Sequence, residues 1–248
     1  MMNQVKTHDE TRSIRISGHM LAEVLRFLAP LTVPGITTIE LDSLAARELK
    51  KLGGDPAFLG FQGFPNVICI SVNEEIVHGI PNQRVLEAGD IVGLDFGVNY
   101  QGMITDGAIT VPVGKISQEA ARLLRATEEA LACGIEQVKN GARVGDIGHA
   151  VETRLRADKL GVIEDMSGHG VGHMVHEDPL ILNFGKAGRG ARLKTGMTIA
   201  IEPMATLGTH EIVLGEDGWT ISTEDGSLGA QFEHTVLVLP DGFEILTK

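Results

Sequence analysis

Four acids and three histidines carry the chemistry open to this sequence. Asp95 sits in the apolar run Ile91–Val98, and Asp106 closes the return segment after the turn Asn99-Tyr100-Gln101-Gly102. A turn centred between Tyr100 and Gln101 predicts that the two carboxylates stand directly opposite each other. At ~4 Å and an effective dielectric of ~20 their repulsion is roughly 4 kcal/mol. Protonation of one acid relieves it, and so does a cation held between them.

The second half repeats this plan. GMTIAIE (196–202) matches GDIVGLD (89–95), each placing an acid six positions after a glycine. Leu86 and Leu193 each precede that glycine by three residues, and His78-Gly79-Ile80 is echoed by His169-Gly170-Val171. A last strand, predicted over 231–238, carries Glu233 and His234 on opposite faces. Glu233 is taken as the inward one because its apolar flank matches those of the other acids. The pattern implies two related halves, each giving an acid-bearing strand pair to one centre.

MSGHGVGHMVHEDP (166–179) places His169, His173 and His176 within eight residues, among glycines that admit close approach. His173 is read as a loop histidine. Imidazole with carboxylate suits Zn, Mn, Fe or Co better than Ca or Mg. Two Asp, two Glu and one His suffice for two ions about 3.5–4 Å apart, an arrangement suited to hydrolysis. The basic loop GKAGRGARLK (185–194) lacks phosphate-loop spacing and is expected to be a mobile rim. Neither an H-E-x-x-H nor a G-x-S-x-G occurs.

The elements that must position these residues follow from periodicity and caps. A first helix carries Ile14, Leu21, Val24, Leu25 and Leu28. Thr37 with Glu40 predicts a capping box for a second, ended by Gly53-Gly54. Ser117 is expected to cap a third running to Lys139, and a fourth is expected from about Val144 to Leu160. VICISV (67–72) reads as a buried strand. Helices followed by strands, twice over, predict an α+β domain with an antiparallel sheet and helices on one face. Residues 1–8 are expected to form a tail, and 9–248 one catalytic domain whose halves meet near residue 115.

Among 248 residues, 43% are hydrophobic, enough for a large core, and a net charge of −12 argues against a nucleic-acid partner. Cys69 and Cys133 form no C-x-x-C. No export segment or spanning stretch is apparent, so a cytoplasmic protein without membrane attachment is expected.

Taken together, GFPNVICISVNEEIVHGIP, the Asp95–Asp106 hairpin, SGHGVGHMVHEDP, GMTIAIEPM, DGWTISTEDGSLGAQFEHT and GFEILT closely resemble the type I methionine aminopeptidases. The resemblance runs in order from about residue 9 to the end. It implies the pita-bread fold with internal pseudo-two-fold symmetry. It further implies five ligands for two divalent ions, Asp95, Asp106, His169, Glu202 and Glu233, with Asp106 and Glu233 bridging. His78 and His176 match the histidines that contact substrate, and Glu202 matches the acid that moves protons. Cys69 and Trp219 match the family's side-chain pocket, and Phe61, Phe64 and Val175 are expected to wall it with them. Where the family commonly has Tyr-His this chain has Phe61-Gln62; Val175 stands where Phe is frequent, and Phe58 where a smaller residue is usual. The resemblance implies a monomer acting on peptide or nascent-chain N-termini, with a small residue after the methionine and a transient association with the ribosome. Neither a zinc-binding N-terminal extension nor the type II helical insertion is expected. An Xaa-Pro peptidase of the same fold and a non-catalytic pita-bread protein that binds ribosomes or peptides are the alternative readings.

Overall fold

The structure, a computed structural model, describes residues 5–248. Four helices pack against one large sheet: α1 (His8–Leu28), α2 (Thr38–Leu52), α3 (Gln118–Ile135) and α4 (Val144–Ala157). Both predicted cap motifs around the second and third helices form. Thr37 and Glu40 make a reciprocal box, Gly53 closes α2 in a left-handed conformation at φ +84°, and the Ser117 side chain accepts from Ala120 N–H. A second capping box, Thr7 with Glu10, starts α1.

Nine strands form the main sheet. Its order runs Asp55–Pro56, Ile91–Tyr100, Met103–Pro112, Glu233–Leu239, Thr198–Ile201, Ser167–Gly170, Glu177–Leu182, with Ile68–Val72 and Gly242–Ile245 paired off this path. Every pairing in it is antiparallel.

Strand alternation sorts the residues by face. Val92, Leu94, Phe96 and Val98 join Leu21, Leu25, Leu41 and Leu49 in one buried cluster under α1 and α2. In the second half Ile199, Ile201, Val236 and Val238 pack with Leu123, Leu131, Ile147 and Val151 of α3 and α4. The intervening residues, Asp95, Asp106, Ala200 and Glu233 among them, are turned to the face away from the helices.

Several local expectations are corrected. The Ile91–Pro112 hairpin turns on Gln101-Gly102, with Tyr100 opposite Met103, so Asp95 faces Ala108 and Asp106 faces Gly97. Gln101 and Gly102 both take positive φ, +52° and +81°, the twist that a two-residue hairpin loop prefers. Helix α3 ends at Ile135, because Gly141 N–H and the Asn140 side chain are engaged by Leu193 and Thr195. Helix α4 ends at Ala157; Lys159 is left-handed at φ +57° and turns Leu160 into the core. The last predicted strand breaks at Phe232: Gln231 pairs with Met204 in a three-stranded sheet, while Glu233 opens the strand of the main sheet. Of the expected tail, residues 1–4 lie outside the described residues, whereas Val5 bridges Met197 and Lys6 is buried.

Candidate active site

Five consecutive strands of the main sheet bring the chemistry together. Asp95 lies on Ile91–Tyr100, Asp106 on Met103–Pro112, Glu233 at the start of Glu233–Leu239, Glu202 just past Thr198–Ile201, and His169 on Ser167–Gly170. Small residues beside them leave room on this face. Ala108 stands between Asp95 and Glu233, Gly97 opposite Asp106, and Ala200 beside His169. Side chains there would occupy the space toward which the acids point.

All five are buried, with exposures between 2% for Glu233 and 8% for Asp95 and Glu202. Among the described residues no lysine or arginine pairs with any of the four acids. Burial raises Asp95 to about 7 and lifts Asp106, Glu202 and Glu233 well above the usual carboxylate range; mutual repulsion adds to it for the last three. Asp95 Oδ1 and Glu233 Oε1 are buried without a hydrogen-bond partner. Such atoms are costly unless a cation or proton answers them.

His169 completes the set. Its Nδ1 lies 2.9 Å from Gly170 O, so Nδ1–H donates there and the Nε2 lone pair is left facing the acids. Nε2 stands 3.4 Å from Glu202 Oε1 and 3.9 Å from Asp106 Oδ2, and burial holds the imidazole at about 3, keeping it neutral. Donor atoms of Asp106, His169 and Glu233 all lie within 4.8 Å of one another. Orphaned carboxylate oxygens, a neutral imidazole aimed among them and mixed N/O donors fit a divalent transition metal.

A cavity of about 120 Å³ rises from this floor, walled by Phe58, Phe61, Gln62, Phe64, Cys69, Val175 and Trp219, with His78 and His176 beside it. Each expected pocket residue is there. A wider cleft of about 770 Å³ shares His78, His169, His176 and Glu202 and continues past Met166, Met174 and Leu180. The His176 ring stands edge-on to His169 at 4.3 Å and to Phe61 at 5.5 Å. His78 is left-handed at φ +60°, uncommon for a residue with a Cβ and a mark of a backbone held by its surroundings. Cys69 pairs with Asp95 across the sheet, and burial pushes its thiol up. Phe58 fits because residue 97 is glycine: a Cβ there would lie 2.5 Å from Phe58 Cε1.

The model for metallopeptidase family M24 matches residues 11–240. The chain belongs to metallopeptidase family M24. As an M24 member it is a metallopeptidase, and its full-length relatives make it a metal-dependent aminopeptidase with the pita-bread fold. Within M24 it is similar to a methionine aminopeptidase of Clostridium perfringens (strain 13 / Type A), at 44% identity over 98% of each chain. Methionine aminopeptidase 1 of Bacillus subtilis (strain 168) is also 44% identical over 98% of each chain. The crystal structure of methionine aminopeptidase from Thermotoga maritima superposes with a TM-score of 0.98 at 43% identity, covering all of both chains. A prolidase from Pyrococcus furiosus shares the fold, at a TM-score of 0.81 and 23% identity, and this chain covers 65% of it.

Sequence reasoning missed some residues of this M24 site. Gln231 Nε2 lies 3.4 Å from both Glu202 Oε2 and Glu233 Oε2, and the Thr235 hydroxyl accepts from Asp106 N–H while donating to Asp106 O. Both stand two positions from Glu233, a spacing that could have pointed to them. His234, set aside in favour of Glu233, instead meets Thr247 Oγ1 at 2.8 Å.

Proposed function

We propose that this M24 member removes the N-terminal methionine from peptides and nascent proteins. The observation that carries the reading is an apolar-walled cavity whose floor is the five-donor cluster. A pocket of this kind takes one flexible, unbranched side chain and leaves the α-amino group and scissile carbonyl beside the acids. The names of the relatives at 44% identity support the same substrate.

In this reading Asp95, Asp106, His169, Glu202 and Glu233 hold two divalent ions drawn from Co, Mn, Fe and Zn. Bound there, such ions polarise a carbonyl and lower the pKa of water. Hydrolysis adds the water oxygen to the carbonyl carbon and breaks the C–N bond. Glu202 takes the proton given up by the water and delivers it to the departing nitrogen. His78 and His176 meet the substrate uncharged, because burial holds His78 at about 4 and lowers His176 as well. Each then offers one N–H to a substrate oxygen without adding a charge. Phe61, Phe64, Cys69, Val175 and Trp219 exclude water from the methionine side chain.

We read residues 9–248 as one catalytic domain of two halves, since acids from both halves lie on neighbouring strands. The described residues contain no helix long and apolar enough to cross a membrane. A cytoplasmic monomer that visits the ribosome transiently fits nascent N-termini as substrate.

The test is hydrolysis of a peptide panel by the metal-loaded protein. Met-Ala-Ser should be cleaved after methionine and the norleucine analogue nearly as well, with Leu-Ala-Ser and Xaa-Pro peptides slow. Equal rates on Leu-Ala-Ser, or preference for Xaa-Pro, would refute the assignment.

A further inference from the structure

Away from the acids, four charged or titratable side chains form a chain of contacts that hydrolysis itself does not use. His169 and His176 terminate one short segment. The strands Ser167–Gly170 and Glu177–Leu182 pair at Gly170 and Glu177, and Val171–His176 is the loop between them. Its first residue is tied to the sheet, for Val171 N–H donates to Thr198 O at 3.1 Å and Thr198 Oγ1 donates back at 2.5 Å. Its second residue is tied as well, since Gly172 O accepts Ile104 N–H at 2.7 Å and Gly172 N–H donates to Met174 O at 3.1 Å; from His173 to His176 side chains supply the remaining hold.

Glu177 Oε1 accepts the backbone N–H groups of His173 and Met174 at 2.5 and 3.1 Å, and Glu177 Oε2 receives Lys6 Nζ at 2.7 Å. The side chains of Lys6 and Glu177 are 0% and 4% exposed, so this is a buried ion pair. The lysine stem crosses the loop closely: a Cβ on Gly172 would stand 2.2 Å from Lys6 Cε. His173 Nε2 meets Glu10 Oε1 at 2.8 Å, and its Nδ1 lies 3.5 Å from Glu177 Oε1. Glu10 Oε2 meanwhile accepts Thr7 N–H at 2.7 Å, so one carboxylate both caps α1 and holds the loop. Lys6 N–H donates to Gly196 O at 2.8 Å, which fixes the segment before α1 to the turn preceding the Glu202 strand.

We propose that Lys6, Glu177, His173 and Glu10 form a brace that positions His176 against the substrate carbonyl. They are positioning residues: none is a ligand in the site described, and each acts through the backbone of 171–177. The inference rests on the aminopeptidase reading, and the brace is what keeps the His176 ring beside His169 and Phe61. A small displacement of such a group is enough to lower turnover on the order of 10–10²-fold. A buried ion pair that loses one partner leaves an uncompensated charge, so the loop would move rather than hold its shape.

The experiment first loads the wild-type enzyme with Mn and confirms Met-Ala-Ser cleavage, which tests the underlying reading separately. His173→Ala, His173→Arg and Lys6→Met are then compared for kcat, KM and bound metal. His173 is partly exposed, so its alanine variant should fold, and thermal unfolding checks this. Expected is a fall in kcat of ~10-fold or more in His173→Ala, with KM and metal stoichiometry unchanged, since an interaction felt in the transition state is lost. His173→Arg, whose guanidinium can reach both carboxylates, should restore most of it. Lys6→Met should lower kcat at least as much as His173→Ala. Wild-type kcat in His173→Ala would overturn the brace. So would a loss of activity that follows metal content, or failure of His173→Arg to recover it.

Discussion

Asp95 and Asp106 lie one diagonal step apart on the same face of their hairpin: Asp95 is opposite Ala108, and Asp106 is opposite Gly97. Direct opposition would have pressed the two carboxylates together. The diagonal places a glycine or an alanine across from each acid, which leaves room beside both carboxyls for a cation and for the pocket, while the two carboxyls still meet each other.

Gly97 is therefore expected to be intolerant of a side chain. Gly97→Ala sets a Cβ against Phe58 Cε1 and pushes that ring into the methionine cavity. Overpacking of this kind destabilises by about 1–3 kcal/mol. Thermal unfolding should register that loss, KM for Met-Ala-Ser should rise, and Phe58→Leu in the same chain should recover both. Unchanged KM in Gly97→Ala would show that Phe58 does not border the substrate.

In the proposed reading the histidines divide by role. His169 Nε2 faces the acids, whereas His176 and His78 stand beside the cavity. His169→Ala should lose bound metal. His176→Ala and His78→Ala should keep it and lower kcat, by ~10²-fold or more if each serves the transition state. Metal analysis of the three variants side by side decides the matter, and equal depletion in all three would refute the division.

Metal uptake should depend on pH through the acids. Without metal, burial holds Asp95 at about 7 and the other three acids well above their usual range. Unfolded carboxyls titrate near ~4. The metal-free fold thus binds more protons than the unfolded chain in between. These groups favour the stripped fold below ~4 and lose that contribution as pH rises through about 7. Ligation needs the carboxylates ionised, so affinity should rise with pH across that window and binding should release protons. His169, already neutral, adds none. Calorimetry in buffers of different ionisation enthalpy counts the protons, and zero release at pH 6 would contradict the burial argument.

Much of the site was legible because its acids sit in apolar strands where a carboxylate has no structural reason to be, and because the halves echo each other. Thr37 with Glu40, and Ser117, marked helix starts through local chemistry alone. What escaped depends on distant partners. The hairpin register turned on Gln101, a residue with no strong left-handed preference, whereas Asn-Gly would have announced the turn. Lys6 looked like tail because its partner, Glu177, lies 171 residues away. Helix α3 stops short of its propensity limit because Leu193 and Thr195 capture the following segment.

Val175 and Phe58 share one buried cluster with Phe64, Cys69 and Ile104. Enlarging Val175 while Phe58 is present should overfill the cavity. Val175→Phe is expected to reduce turnover of methionine peptides, and Phe58→Ala in that background to restore it. Faster methionine cleavage by Val175→Phe alone would mean that the cavity has spare volume.

The central claim is that the five buried donors hold the metal on which methionine release depends. Its most direct test titrates metal-stripped wild-type protein and Asp106→Asn with Mn while recording heat, stoichiometry and Met-Ala-Ser hydrolysis. Wild-type activity should appear in step with occupancy, and Asp106→Asn should lose most of its affinity and at least ~10²-fold of its activity. Full metal content with near wild-type turnover in Asp106→Asn would contradict it.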